Sequence, residues 1–454
     1  MNQYKFSLHN YRAISSADIN IDGLTVIAGP NGCGKSTISR WLYGYVNYAN
    51  DFDKYLDRIL IRKLNRIISL FHRVASFVDG IDEDSLNLNR FSLDYFQNLH
   101  NNPDNDERSK YDVLSVAFMA KFRSFGQSLN KKYDSKSKNL GYYKWIVKAI
   151  WTNINDVLDI KSSGKEPDTI SGVLDYTESI LDTRLKEYIN DNIDKKSRRS
   201  LNDLIRYIKT SPDYSGESPT ALQFRENGFN LISDNRFTPP IGLENCIYVD
   251  TPMALSNYSR EGRSIWNALN QAMYTPLREM PQSARKTVAR LRSILGGNVS
   301  VRVDEISHES TLRYIRKEDA LNIPIDEAAT GMKSFAYLLR LVENGYLSEN
   351  SLLLIDEPEA HLHPQWIVEF ARVLVLLQKE VGTKIMIASH NPDMIAAIHS
   401  ISIAEGIGER THFYQAEEKA ESLQYSFRHL GNEINEIFRS FNIALERIKD
   451  YGTR

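Results

Sequence analysis

Two cysteines in 454 residues, Cys33 and Cys246, are too few for a disulfide framework or for a four-ligand zinc site of their own. Long apolar runs are missing as well. No stretch of about 18 uninterrupted apolar residues occurs, which argues against a transmembrane helix. The opening residues, MNQYKFSLHNYRAI, lack the apolar segment of a secretory signal. Nor does one sign of charge dominate: 56 Lys and Arg against 58 Asp and Glu leave a formal net charge of −2. Any site for a polyanion must therefore be local. There is no internal repeat and no low-complexity tract. Together these absences favour a reducing, cytoplasmic setting and no membrane partner.

What remains is ordinary globular material, 42% apolar and 25% charged, and long enough for two or three domains. Its texture changes along the chain. Residues 1–45 hold strand-like runs at Tyr4–Leu8 and Leu24–Ala28, then a glycine-rich turn and a helical stretch, the opening of a nucleotide-binding α/β unit. Residues 46–220 carry apolar residues at helical spacing, as in Leu56, Leu60, Leu64, Ile67, Ile68 and Phe71, and predict a mostly helical insertion. No heptad is sustained there, so a long coiled coil is not expected. Residues 221–430 return to strand patterns, with a meander at Val299–Val303, Thr311–Ile315 and Leu321–Ile325. A helix is expected over Phe335–Glu343. Leu352–Ile355 and Ile385–Ala388 are fully apolar and suit parallel strands buried on both faces. A helix is expected over residues 431–454, mainly Asn432–Tyr451. The expected class is α/β: a head with a mixed parallel sheet and an antiparallel β-subdomain, interrupted by the helical insertion.

The sharpest motif is Gly29-Pro-Asn-Gly-Cys-Gly34-Lys35-Ser36-Thr37, which fits G-x-x-x-x-G-K-[ST] directly after an expected strand. Its glycines, with Asn31, Gly32 and Gly34 in the loop, let backbone N–H groups converge on phosphates. Lys35 adds a point charge, Ser36 can ligate Mg²⁺, and Ser36 and Thr37 open a helix whose dipole faces the phosphates. Next, Leu352-Leu-Leu-Ile355-Asp356-Glu357-Pro358 ends an apolar strand in two carboxylates, at the sheet edge where α/β proteins bind ligands. Asp356 is expected to hold Mg²⁺ and Glu357 to orient the attacking water. The bland alternative for this motif is a helix N-terminus capped by acids. Third, Ile385-Met-Ile-Ala-Ser389-His390 ends another buried strand in a histidine able to sense a γ-phosphate.

This order of motifs resembles the ABC ATPase superfamily, and within it the branch of SMC, RecF and OLD-type proteins. Asn10-Tyr-Arg12-Ala-Ile, followed by Ile27-Ala-Gly-Pro-Asn-Gly, is similar to the opening of that branch, which implies that Arg12 helps bind the nucleotide phosphates. Asp356-Glu-Pro-Glu-Ala-His361-Leu-His363-Pro364 is similar to the Walker B and D-loop of OLD-like ATPases. The resemblance covers residues 1–45 and about 245–430. It implies ATP and Mg²⁺ as cofactors, catalytic roles for Glu357, His390 and Lys35, and self-association through paired heads. The signature loop of the family departs from its pattern, reading Ala328-Ala-Thr-Gly331-Met-Lys333-Ser334, with Ala329 at the serine position. Gly331 and Lys333 keep their places and are expected to contact the nucleotide of the other copy; the missing hydroxyl implies slow hydrolysis. The Q-loop glutamine is not evident, and Asp250-Thr251-Pro252 stands where it is expected.

The tail after His390 is too short for the nuclease domain of OLD-type proteins, which implies a nuclease effector on another chain. Septu systems (HNH nuclease) and PARIS systems (TOPRIM nuclease) are the analogies, both anti-phage, with a slight lean to Septu. The alternative is a RecF- or SMC-like ATPase clamping DNA; a transporter subunit ranks third. Two basic stretches, Arg58–Arg73 and Lys195–Arg199, can either follow a nucleic-acid backbone or serve as solvated helix faces, and the second reading is favoured.

Overall fold

The computed structural model describes residues 2–76, 90–92, 107–134, 140–157, 167–250, 264–303, 310–420 and 422–438. The chain forms two compact units, one of residues 1–50 with those from 200 onward, the other of residues 51–199. The helical unit is narrower than the 46–220 suggested by texture. Helix α1 (Lys35–Asn50) runs unbroken past residue 46, and the residues after 200 pair with the strand region, as where Leu201 N–H donates to the Asn235 carbonyl.

In the first unit, strands β1 (Tyr4–Tyr11), β2 (Ile14–Asn20) and β3 (Leu24–Ala28) precede α1. After the helical unit come β4 (Ala221–Glu226), β5 (Phe229–Asn230), the small hairpin β6 (Ile232–Ser233) and β7 (Arg236–Phe237), and β8 (Asn245–Val249). The meander is β9 (Asn298–Val303), β10 (Ser310–Arg316) and β11 (Leu321–Pro324), an antiparallel sheet of its own. Then follow β12 (Ser351–Asp356), β13 (Lys384–Ser389), β14 (Thr411–Glu418) and β15 (Tyr425–Gly431). The main sheet has the order β5-β4-β1-β2-β15-β14-β3-β13-β12-β8. Its half from β14 to β8 is parallel, and every residue of β3, β12 and β13 is buried, as strands covered on both faces must be.

Side-chain alternation sorts the two covers. Leu353, Ile355, Ile385, Ile387, Leu24 and Val26 face a core shared with helices at Ile265–Tyr274, Arg285–Leu295, Thr330–Glu343, Pro364–Leu376 and Pro392–Ala404. The other face takes α1, where Tyr43 packs on Tyr248 with ring centroids 6.2 Å apart. The helix expected from Phe335 starts five residues earlier at Thr330, after an extended Ala329 that makes no side-chain cap. Strands β2, β14 and β15 carry too many polar residues to stand out from the sequence; neighbouring strands hold them in the sheet. The expected C-terminal helix lies beyond residue 438 for most of its length, outside the described residues, as do Thr251 and Pro252.

The second unit consists of helices α2 (Phe52–Ser76), α3 (Glu107–Asp134), α4 (Leu140–Val157) and α5 (Ile170–Arg198). Leu60, Leu64 and Ile68 meet Phe118, Phe122, Leu174 and Leu181 in one apolar core, and the spacing of the first three is the helical period seen in the sequence. Asp57 is buried within this unit and accepts hydrogen bonds from Tyr111 Oη (2.8 Å) and Asn192 Nδ2 (3.1 Å). Lys196 Nζ completes the cluster 2.8 Å from Asp57 Oδ1.

Candidate functional site at the carboxyl edge of the parallel strands

Parallel pairing sets the geometry of the site. Asp356 of β12 is registered with Ala388 of β13, and Ser389 of β13 with Ala28 of β3. The three segments that leave these strands, Gly29–Lys35, Glu357–Leu362 and His390–Asn391, therefore emerge side by side at one edge.

The first turns on glycine. Gly32 and Gly34 have φ of 83° and 104°, open to glycine and costly for other residues. A side chain at Gly29 would come within 2.6 Å of Ala416 Cβ. The loop leads into α1, whose first bonds run from Thr37 and Ile38 N–H to the Gly34 carbonyl. Asn31 sits exposed on the loop, while Lys35 is buried and its ammonium donates to the Gly29 and Pro30 carbonyls at 2.8 and 2.9 Å. An ammonium has three donors, and these bonds hold it inside the loop with one to spare.

Asp356 is buried at the end of β12. Its Oδ1 accepts from Ser39 Oγ (2.8 Å), its Oδ2 from Tyr248 Oη (2.7 Å), and Ser36 also hydrogen-bonds it. Burial pushes its carboxyl above the usual range, against the pull of those three hydroxyls. A desolvated carboxylate bonded to the Ser36 hydroxyl is the donor set a hard, oxygen-seeking cation takes, so these residues fit Mg²⁺. Neither Ser39 nor Tyr248 stood out in the sequence, although Ser39 repeats Ser36 at helical spacing.

Glu357 has φ of +48°, left-handed backbone for a non-glycine residue, held by its N–H on the Ala388 carbonyl at 2.8 Å. Such strain costs on the order of 1 kcal/mol and collects at functional sites. His390 Nδ1 lies 3.3 Å from Glu357 Oε1 and 3.6 Å from Glu359 Oε1. Glu359, inside the run that resembles the OLD-like Walker B, was given no role from sequence. It is buried against Ser389 and His390.

Arg12 occupies the two-residue turn between β1 and β2 with φ of +53°, at a position where hairpins favour glycine. Its guanidinium donates to the Ser215 carbonyl at 3.0 Å. Arg12, Ser36 and Thr37 share the lining of a cavity of about 140 Å³ with Tyr11, Arg40 and Tyr214. Arg40 follows Ser36 and Thr37 by one helical turn, a signal available in the sequence; Tyr214 carried none. Of the predicted residues, Gly331 and Lys333 are built into other contacts. A side chain at Gly331 would strike the Trp366 ring at 2.8 Å, and Lys333 Nζ donates to the Asp326 carbonyl at 2.7 Å.

The family model for the AAA ATPase domain matches residues 1–395, most of the chain. The chain belongs to the AAA ATPase domain family. Three ATP-binding proteins of Clostridium perfringens are similar to parts of it. A putative ABC transporter ATP-binding protein is 34% identical over 101 residues, 22% of this chain and 34% of that protein. The energy-coupling factor transporter ATP-binding protein EcfA3 is 36% identical over 72 residues, 16% of this chain and 25% of its own length. The match to this AAA ATPase domain chain thus spans about a third or less of these relatives. Among solved structures, the Smc head domain of Pyrococcus furiosus with an extended coiled coil, bound to the C-terminal domain of ScpA, aligns over 99% of this chain and 100% of its own. The identity is 11% and the TM-score 0.33. The SMC head domain from Thermotoga maritima aligns over 95% and 99%, with 12% identity and a TM-score of 0.34. Among the described residues no helix is long and apolar enough to cross a membrane.

The two basic stretches belong to the helical unit. Lys195, Lys196, Arg198 and Arg199 pair with Asp191, Asp57, Asp194 and Asp53. Arg58 pairs with Asp51, and Lys63 lies over the Tyr188 ring. The second cluster is thus neutralised residue by residue: Lys195 and Arg198 lie on a solvated helix face, whereas Lys196 is buried against Asp57.

Proposed function

We propose that this chain is an ATP-driven switch, which holds Mg²⁺-bound ATP on the Gly29–Thr37 loop and hydrolyses it with water oriented by Glu357. The observation that carries this reading is the emergence of the phosphate-loop, Asp356-Glu357 and Ser389-His390 segments at one edge of adjacent parallel strands. Mg²⁺, when bound, would neutralise charge on the phosphates. Ser36 and Asp356 hold that ion, and Lys35 and the N-terminus of α1 hold the phosphate oxygens. Glu357 accepts a hydrogen bond from the attacking water and aligns it. His390 turns Nε2 toward the γ-phosphate while its Nδ1 faces the two glutamates. Arg12 and the loop residues Asn31, Gly32, Gly34 and Thr37 surround the remaining phosphates, and the cavity beside Thr37 accepts the nucleoside.

Closure requires a second copy, whose Gly331 and Lys333 loop covers the γ-phosphate held by Lys35 of the first. The extended Ala329 offers no hydroxyl to that phosphate, so turnover is slow and ATP serves chiefly as a clamp. At the level of the system, this clamp regulates a nuclease subunit, HNH or TOPRIM in type, in a cytoplasmic anti-phage complex. The resemblance of Asp356–Pro364 to OLD-like ATPases supports that extension. A DNA clamp of RecF or SMC character is the competing reading.

Light scattering of the chain, with and without ATP and with its neighbouring-gene product, tests the proposal. Glu357→Gln is included to trap bound ATP. The proposal expects ATP-dependent assembly and co-purification of the neighbour. ATP-driven dimers that bind no partner and grip duplex DNA would favour the competing reading.

A further inference from the structure

We infer that Glu359 is a positioning residue which couples the Asp356-Glu357 turn to His390, so that both catalytic segments move as one piece. The inference rests on the reading of Glu357 and His390 as catalytic residues. Glu359 lies three residues beyond Asp356 in a tight turn, where Ala360 and Leu362 N–H donate to the Glu357 and Glu359 carbonyls. Its carboxylate crosses to the neighbouring segment. There Oε1 accepts from Ser389 Oγ at 2.8 Å and from His390 N–H at 3.2 Å, and lies 3.6 Å from His390 Nδ1. Ser389 Oγ in turn accepts from Asn391 N–H at 3.1 Å, and Asn391 caps the next helix by accepting from Met394 N–H. One carboxylate oxygen therefore organises three consecutive residues of the histidine segment.

Two further facts distinguish this contact from ordinary packing. Glu359 is only 6% exposed, and its Oε2 meets no hydrogen-bond partner among the described residues. A buried oxygen without a partner is costly, and burial pushes this carboxyl up. The second fact is the histidine's orientation. With Glu357 Oε1 and Glu359 Oε1 both beside Nδ1, that edge of the ring faces the two carboxylates, and Nε2 is left on the opposite edge. Glu359 thus fixes the direction of the ring as well as the path of its backbone.

Steady-state ATP hydrolysis in a double-mutant cycle of Glu359→Gln and His390→Ala tests the inference, with circular dichroism to verify folding. Glu359→Gln preserves shape and one acceptor oxygen. In the parent background it should lower kcat by roughly tenfold, as expected for a misplaced catalytic group, with KM for ATP changed less than twofold. In the His390→Ala background it should cause no further loss. Ser389→Ala, which removes the same bond from the other side, should show the same dependence on His390. Equal losses in both backgrounds, or none in the parent, would overturn the coupling. Glu357→Gln is measured alongside: if it hydrolyses ATP at the parental rate, the catalytic assignment itself fails, whatever Glu359 does.

Discussion

Asp57 and Glu359 are both carboxylates sealed from solvent, one in each unit, and the chain treats them in opposite ways. In the helical unit Asp57 has both oxygens engaged, with Tyr111 and Asn192 on Oδ1 and Lys196 reaching Oδ1 and Oδ2. In the ATPase unit Glu359 uses one oxygen for Ser389 and His390, and the other meets no partner among the described residues. Two residues away, Glu357 holds a left-handed backbone. Buried polarity in the helical unit ties α2, α3 and α5 together. At the sheet edge the buried carboxylate of Glu359 stands beside a strained residue, which agrees with the proposal of a site kept for chemistry at some cost in stability.

The comparison can be broken first at Asp57. Lys196→Met strands a buried carboxylate and should destabilise the chain by about 3–5 kcal/mol, read from urea unfolding followed by helicity. ATP hydrolysis per folded molecule should stay at the parental level. A loss below 1 kcal/mol would mean that Asp57 is satisfied without its cation. Adding Asp57→Leu to Lys196→Met removes both charges and should recover most of that loss, since a buried pair often adds little over an apolar replacement. If the double variant is as unstable as the single one, the cluster does more than neutralise itself.

The strained residue gives a smaller, opposite effect. Glu357→Gly relieves a positive φ and should stabilise the chain by up to about 1 kcal/mol while hydrolysis is lost. Destabilisation on thermal melting would show that the Glu357 side chain carries structure instead. Smallest are the pH slopes. Burial raises the Glu359 carboxyl, so the folded state binds that proton more tightly than the unfolded one. Its contribution to stability is full below the unfolded value of about 4.3 and declines as pH rises through the folded value. Asp22 runs the other way: burial pushes it up, but the His412 hydrogen bond at 2.8 Å, the His412 charge and a backbone hydrogen bond together outweigh this and hold it low. Its contribution is present above the unfolded value near 3.9 and is lost as pH falls through the folded one. Glu359→Gln should flatten the first slope and Asp22→Asn the second in urea titrations across pH 3–8.

What the sequence disclosed follows the physics of each element. Leu24–Ala28, Leu352–Ile355 and Ile385–Ala388 are apolar throughout because both faces of the sheet are covered there, so they were legible as central strands. The glycine loop and the Asp356-Glu357 and Ser389-His390 pairs were legible because they end those strands. The polar strands β2, β14 and β15 were not, since their place is set by neighbours distant in sequence. The same holds for Tyr248, which reaches Asp356 across 108 positions, and for Tyr214 and Ser215 beside Arg12. Glu359 was visible as a letter in a motif. Its reach to the next strand end depends on parallel register, which a linear reading does not supply.

The most direct test of the central claim is to measure ATP affinity and phosphate release together for the parent and Glu357→Gln. If the edge formed by Lys35, Asp356, Glu357 and His390 hydrolyses ATP, the variant will bind ATP at least as tightly while phosphate release falls by about 10²–10⁴-fold. Phosphate release within twofold of the parent would contradict the account and move the chemistry away from this edge.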